Sequence, residues 1–248
     1  MTRWTVRRLR RPDAAVTLYC FPHAGGSPGE YVRWSDDLPE FQVWGVHLPG
    51  RTTRAGEPPY TEMASLVRDL VAAVPFAERS VFLGHSLGAL VAFETARELR
   101  RRGRPQPEGL IVSSCPAPPY PERGESLSAL ADDELLGRAT ELWGLPAADL
   151  SADPALQAHA LACLRNDLAL LENYRYRPEE PLDAWLHVLR GDREPTRADA
   201  PTWRAQTRGP IGETLLPGGH FYFREQRHET LRAVRETVLT RGGRQCAE

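Results

Sequence analysis

The 248-residue chain contains no lysine: all 31 basic residues are arginine, an absence that carries no functional reading of its own. Set against 33 acidic residues they leave a net charge of -2, so no overall field suits a nucleic acid or a strongly cationic partner. Cysteine is scarce. Its four copies, Cys20, Cys115, Cys163 and Cys246, are scattered without a C-x-x-C pair, which argues against a zinc site and a disulfide framework. No apolar stretch approaches the length of a membrane span, and no apolar h-region follows the basic N-terminus. Neither a membrane anchor nor a signal peptide is therefore expected, and the absences together point to a soluble, cytoplasmic protein with reduced thiols. Arginine does gather at Arg7–Arg11 and at Arg100-Arg101-Arg102 with Arg104. Solvated surface charge is the plain reading of each cluster, docking of an acidic partner the sharper one.

What is present is an alternation of short apolar runs with helical periods, the pattern of a mainly parallel sheet in an α/β protein. The expected strands are Thr5–Leu9, Val16–Phe21, Gln42–Leu48, Ser80–Leu83, Gly109–Ser113, Trp185–Leu189 and Gly212–Leu216. Between the third and fourth, Met63, Leu66, Val67, Leu70, Val71 and Val74 recur at i, i+3, i+4 and predict an amphipathic helix over Glu62–Val74. A C-terminal helix is expected over Arg224–Leu239, ahead of a polar tail. The alternation breaks between Cys115 and Pro181. There a proline-rich stretch (Pro116, Pro118, Pro119, Pro121) leads into helical patterns without a strand between them, one of them marked by Leu161, Leu164, Leu168 and Leu171. A helical insertion over 116–181 within a single domain of residues 1–248 reads as a lid, with an ordinary extra helical layer as its plainer alternative.

The chemistry is concentrated at Gly84-His85-Ser86-Leu87-Gly88. An apolar strand precedes it, and Ala89–Arg102, free of glycine and proline, follows as a helix. Strand, G-x-S-x-G, helix is the context of a nucleophile elbow, in which the serine sits on a strained turn at the end of the sheet. A serine hydroxyl needs a base. Of seven histidines (His23, His47, His85, His159, His187, His220, His228) only His220 follows the last strand on a loop, in Pro217-Gly218-Gly219-His220-Phe221. The orienting acid belongs on the turn after Trp185–Leu189, where Asp192 and Glu194 both stand. Asp192 is favoured for its shorter side chain and its place directly after the strand; Glu194 stays open as the alternative. Two backbone amides should face the oxyanion: Leu87 N–H at the start of the helix, and Ala24 N–H in Phe21-Pro22-His23-Ala24-Gly25-Gly26. A phosphate-cradling reading of that glycine loop is weak, because no Lys-Ser/Thr follows.

Taken together, Phe21–Gly26, Leu48-Pro49-Gly50-Arg51, Gly84–Gly88, Asn173-Tyr174-Arg175-Tyr176 and Pro217–Phe221 resemble the type II thioesterases that accompany modular polyketide and nonribosomal peptide synthases. The likeness runs from about Val16 to Arg224. It implies an α/β-hydrolase fold with a helical lid over 116–181, and hydrolysis of unwanted acyl groups from the phosphopantetheine arm of an acyl or peptidyl carrier protein. It further implies Ser86 as nucleophile, His220 as general base, an acid within Gly191–Glu194, no metal or cofactor, and a monomer. The family often has aspartate where this chain has Glu194. The competing readings are a carboxylesterase or acyltransferase acting on small soluble esters and, in another class, a binding protein built on the hydrolase fold.

Overall fold

The computed structural model describes residues 2–119, 126–144, 153–194 and 198–242. Cys246 and Pro121 lie outside these. Seven strands make one sheet: β1 (Thr5–Val6), β2 (Val16–Phe21), β3 (Phe41–Val46), β4 (Ser80–His85), β5 (Gly109–Ser113), β6 (Trp185–Gly191) and β7 (Ile211–Leu216). Their spatial order is β1-β3-β2-β4-β5-β6-β7, and every pairing is parallel except the antiparallel contact of β1 with β3. All seven expected strands are present. The first is shorter than its pattern, because beyond Val6 the chain turns outward, with Arg8 paired to Asp36 and the Arg11 amide donating to Gln42.

Helices cover both faces of the sheet, which is why the central strands are apolar at consecutive positions. The alternation survives in which face each residue meets. Tyr19, Phe21, Phe82, Leu110, Val112, Leu186 and Val188 pack against α2 (Met63–Ala73) and α3 (Leu87–Arg101). Leu18, Cys20, Val81, Leu83, Ile111 and Leu189 face the other way, toward α1 (Pro28–Val32) and the C-terminal helix. That terminal helix departs from expectation. Instead of one run it is a turn, α7 (Tyr222–Glu225), and then α8 (Arg227–Gly242), separated at Gln226 by a non-helical ψ of 46°. The break lets Tyr222 and Phe223 point into the sheet end while α8 lies along it.

Between β5 and β6 the described residues hold helices and no strand. The two long ones are α4 (Asp132–Trp143) and α5 (Pro154–Asn173); α6 (Ala200–Trp203) follows β6. Leu135 and Ala139 of α4 meet Leu161, Leu164 and Leu168 of α5 in a separate small core, and Ala24 and Trp143 pack on its edge. The Asn173-Tyr174-Arg175-Tyr176 segment returns the chain to the sheet. Its Tyr174 hydroxyl donates to the buried Glu94 of α3 at 2.7 Å, and Tyr176 bonds Gln206 at 2.9 Å. The arginines of 100–102 are tied to Glu98 and Glu179, which favours solvated surface charge over a docking patch there.

Candidate active site

Ser86 occupies the sharp turn between β4 and α3 with φ 54° and ψ -122°, a conformation that non-glycine residues rarely adopt. Two close approaches hold it there. A Cβ on Gly84 would stand 2.2 Å from the Gly88 carbonyl oxygen, and one on Gly88 would stand 2.0 Å from that of Phe21. Only glycine fits either place. The Ser86 amide donates to the Ser113 carbonyl at 2.8 Å, while its side chain makes no capping bond to α3. The hydroxyl is thus left at the half-buried end of the sheet.

The His220 loop follows β7 and carries a buried imidazole whose ring centroid lies 4.9 Å from that of His85, the neighbour of Ser86. Its Nδ1–H donates to Glu194 Oε1 at 2.6 Å, and the Glu194 side chain is only 1% exposed. Asp192, the favoured acid by sequence, is corrected by this geometry. Its amide is still on the strand ladder, bonded to the Leu216 carbonyl at 2.8 Å, and its Oδ1 accepts the Gly218 N–H at 2.9 Å. From the foot of the turn its short carboxylate reaches backbone, whereas Glu194, a turn position later and one methylene longer, reaches the ring. Asp192 therefore laces the acid turn to the histidine loop. Of the remaining histidines, His187 bonds Thr214 within the sheet and His228 is exposed on α8.

The amide of Leu87 opens α3, where the first N–H groups have no acceptor inside the helix. Ala24 lies on the loop after β2, packed between the main core and the α4–α5 core. Around the site, two further histidines are kept neutral. Burial pushes His23 down to about 3, with Arg224, His220 and Arg51 as secondary causes. Burial first, then His220, lowers His85 well below its ordinary value. His23 Nδ1 pairs with the Tyr31 hydroxyl at 3.0 Å, while His85 Nδ1 starts a chain through Ser113 Oγ (2.7 Å) to the Tyr222 hydroxyl (2.6 Å). Above the site, the Trp143 ring at the end of α4 comes within 6.2 Å of His220, centroid to centroid.

Two residues in this neighbourhood were given no role by sequence reasoning. Arg51 and Asp167 form a buried ion pair beside Gly25 and Gly26. A signal existed for one of them: Asp167 is an acid adjoining Leu168 on the apolar stripe of α5, where a carboxylate demands a partner. Among the described residues no group of three or more His, Cys, Asp and Glu side chains could hold a metal ion, and no helix is long and apolar enough to cross a membrane.

Comparison with known proteins agrees with this architecture. The family model described as a thioesterase domain matches residues 16–238. Thioesterase PikA5 of Streptomyces venezuelae is 38% identical over 247 residues, covering 96% of this chain and 87% of the relative. Among solved structures, the type II thioesterase BorB from the borrelidin biosynthetic cluster superimposes with a TM-score of 0.84 at 34% identity, over 94% of this chain and 96% of that one. RedJ, a thioesterase from the prodiginine pathway of Streptomyces coelicolor, gives 0.82 at 33% identity, over 92% and 95%.

Proposed function

The chain belongs to the thioesterase family, and on that premise we propose that it strips acyl groups from the phosphopantetheine thiol of an acyl or peptidyl carrier protein in a polyketide or nonribosomal peptide pathway. The observation that carries the reading is the short Glu194–His220 bond, its imidazole 4.9 Å from the ring of His85, next in sequence to a serine held at φ 54° on its elbow.

This geometry supports the following roles. The Nδ1–H bond to Glu194 leaves Nε2 as the basic nitrogen of His220. Nε2 takes the Ser86 proton as Oγ attacks the thioester carbonyl, and the Leu87 and Ala24 amides stabilise the oxyanion. Collapse breaks the C–S bond, and the thiolate leaves with the proton from His220. Water, deprotonated in turn by His220, then attacks the acyl-serine and releases the carboxylic acid. The helical insertion over 116–181 serves as the lid of the acyl chamber, supported by the packing of Ala24 and Trp143 on the α4–α5 core. The enzyme acts as a cytoplasmic monomer without a nucleic-acid or membrane partner, and no metal or cofactor enters the steps.

The test is intact-mass spectrometry of an acetylated or propionylated carrier protein incubated with wild type and with Ser86→Ala. Loss of the acyl mass with wild type alone is expected. Survival of the acyl group while a nitrophenyl ester is cleaved would replace this reading with that of a small-ester carboxylesterase.

A further inference from the structure

The side chains of Arg51 and Asp167 are each 5% exposed and meet in a two-pronged pair, Nη2 to Oδ1 at 2.6 Å and Nη1 to Oδ2 at 2.9 Å. Two apolar residues of similar volume commonly hold an interior as well as such a pair does, because taking both charges out of water costs about what their attraction returns. What the pair does beyond stabilising is visible in its remaining bonds. Asp167 Oδ2 also accepts the Gly25 N–H at 2.8 Å, and Arg51 Nη1 also donates to the Gly26 carbonyl at 2.8 Å. These are backbone groups of the two residues that follow Ala24. Gly25 has φ 72°, and the Leu164 side chain of α5 packs on it, 3.4 Å from where its Cβ would be. The peptide planes after Ala24 are thus oriented by one carboxylate and one leucine of α5, from 142 and 139 positions away, with Arg51 bracing the carboxylate from the loop after β3.

We infer that Arg51 and Asp167 are a positioning pair for the oxyanion loop, so that seating helix α5 and aiming the Ala24 amide are one event. The inference rests on the catalytic roles proposed above. Neither residue touches the reacting atoms. Each acts through the loop, and helix α5 is a part of the oxyanion hole as well as a wall of the lid.

The decisive comparison is among wild type, Ser86→Ala, the double variant Arg51→Met/Asp167→Leu and the conservative Asp167→Asn. Each is assayed for kcat and KM on an acyl-N-acetylcysteamine thioester, for affinity toward a trifluoromethyl ketone that adds to Ser86 as an oxyanion, and for thermal unfolding. Removing a whole oxyanion donor costs about 100- to 1,000-fold in kcat, so a misaimed donor should cost about 10- to 100-fold. The double variant is expected to lose that much in kcat and in ketone affinity together, while KM moves less than about threefold and unfolding stays near wild type. Asp167→Asn, which keeps an acceptor for Gly25, should fall between the two and decides the matter if the double variant does not fold. A folded variant whose kcat and ketone affinity stay within about twofold of wild type overturns the inference, as does lost kcat with unchanged ketone affinity. If Ser86→Ala retains wild-type turnover, the serine reading itself falls and this inference with it; if Ser86→Ala is inactive and the pair variants are normal, only the inference falls.

Discussion

The elbow and the oxyanion loop flank the same serine but are held in opposite ways. The elbow is self-contained: Gly84, Ser86 and Gly88 lie within five positions, and the backbone they press against belongs to the turn itself and the adjacent β2. The oxyanion loop has one local bond, Gly26 N–H to the His23 carbonyl at 2.9 Å. Besides the bond of His23 to Tyr31 in α1, it is held by Arg51, Leu164 and Asp167, on a different loop and a different helical layer. A nucleophile can be prepared by the sheet alone. The oxyanion site needs the sheet and the insertion in register.

The sharpest way to break this comparison is to place the same methyl group in each part. Gly88→Ala drives a Cβ to 2.0 Å from the Phe21 carbonyl, which no side-chain adjustment relieves. Loss of more than about 4 kcal/mol, with activity at background, is expected in urea unfolding and ester assays. Gly25→Ala meets only an ordinary contact with Leu164 and should cost about 1–2 kcal/mol for its left-handed backbone, leaving a folded protein. Equal losses at the two sites would erase the distinction.

Next in size is the split between two neighbouring carboxylates. Glu194→Gln should lower kcat by about 100- to 10,000-fold with little change in fold, since an amide cannot hold the imidazolium that forms in the attack. Asp192→Asn keeps an acceptor for the Gly218 amide and should stay within about fivefold of wild type. Reversal of that order in steady-state kinetics would restore Asp192 as the orienting acid.

The last effect is thermodynamic and shared, and is small only for each histidine taken singly. His23 in the oxyanion loop, His85 in the elbow and His187 in β6 all have lowered affinities for protons, by burial first, His23 to about 3 and His187 to about 4. In the unfolded chain each takes a proton near its ordinary value of 6.5 while the folded form stays neutral. Their contribution to stability is therefore whole above about pH 6.5 and drains away as pH falls toward those lowered values. The slope is at most about 1.4 kcal/mol per pH unit for each group. Urea melts between pH ~7 and pH ~5 should show it, and His187→Asn, away from both parts of the site, should remove about a third. An unchanged slope in that variant would assign the acid sensitivity elsewhere.

Legibility in the sequence followed the same division. β2 and β5 match their expected bounds residue for residue, because a strand buried on both faces between turn signals leaves few alternatives. The elbow was readable because its diagnostic residues, Gly84, Ser86 and Gly88, stand within five positions. His220 was readable because one histidine follows the last strand on a glycine-rich loop. The choice between Asp192 and Glu194 was not: it depends on how far a side chain reaches from a turn whose path is invisible in one dimension. The Arg51–Asp167 pair was not readable as a pair either, because its members stand 116 positions apart and meet only after the helical layer has packed on the sheet. The break at Gln226 escaped for a similar reason, since the pull on Tyr222 comes from Ser113.

The Trp143 ring beside His220 gives the molecule an optical property. An imidazolium quenches indole emission at short range, and in the steps proposed above His220 holds the Ser86 proton during each tetrahedral stage and not in the acyl-enzyme. Among the described residues, Trp143 is the tryptophan whose ring contact includes that histidine. Its emission should dim at each tetrahedral stage, so a ketone that adds to Ser86 as an oxyanion should report its own binding without a label.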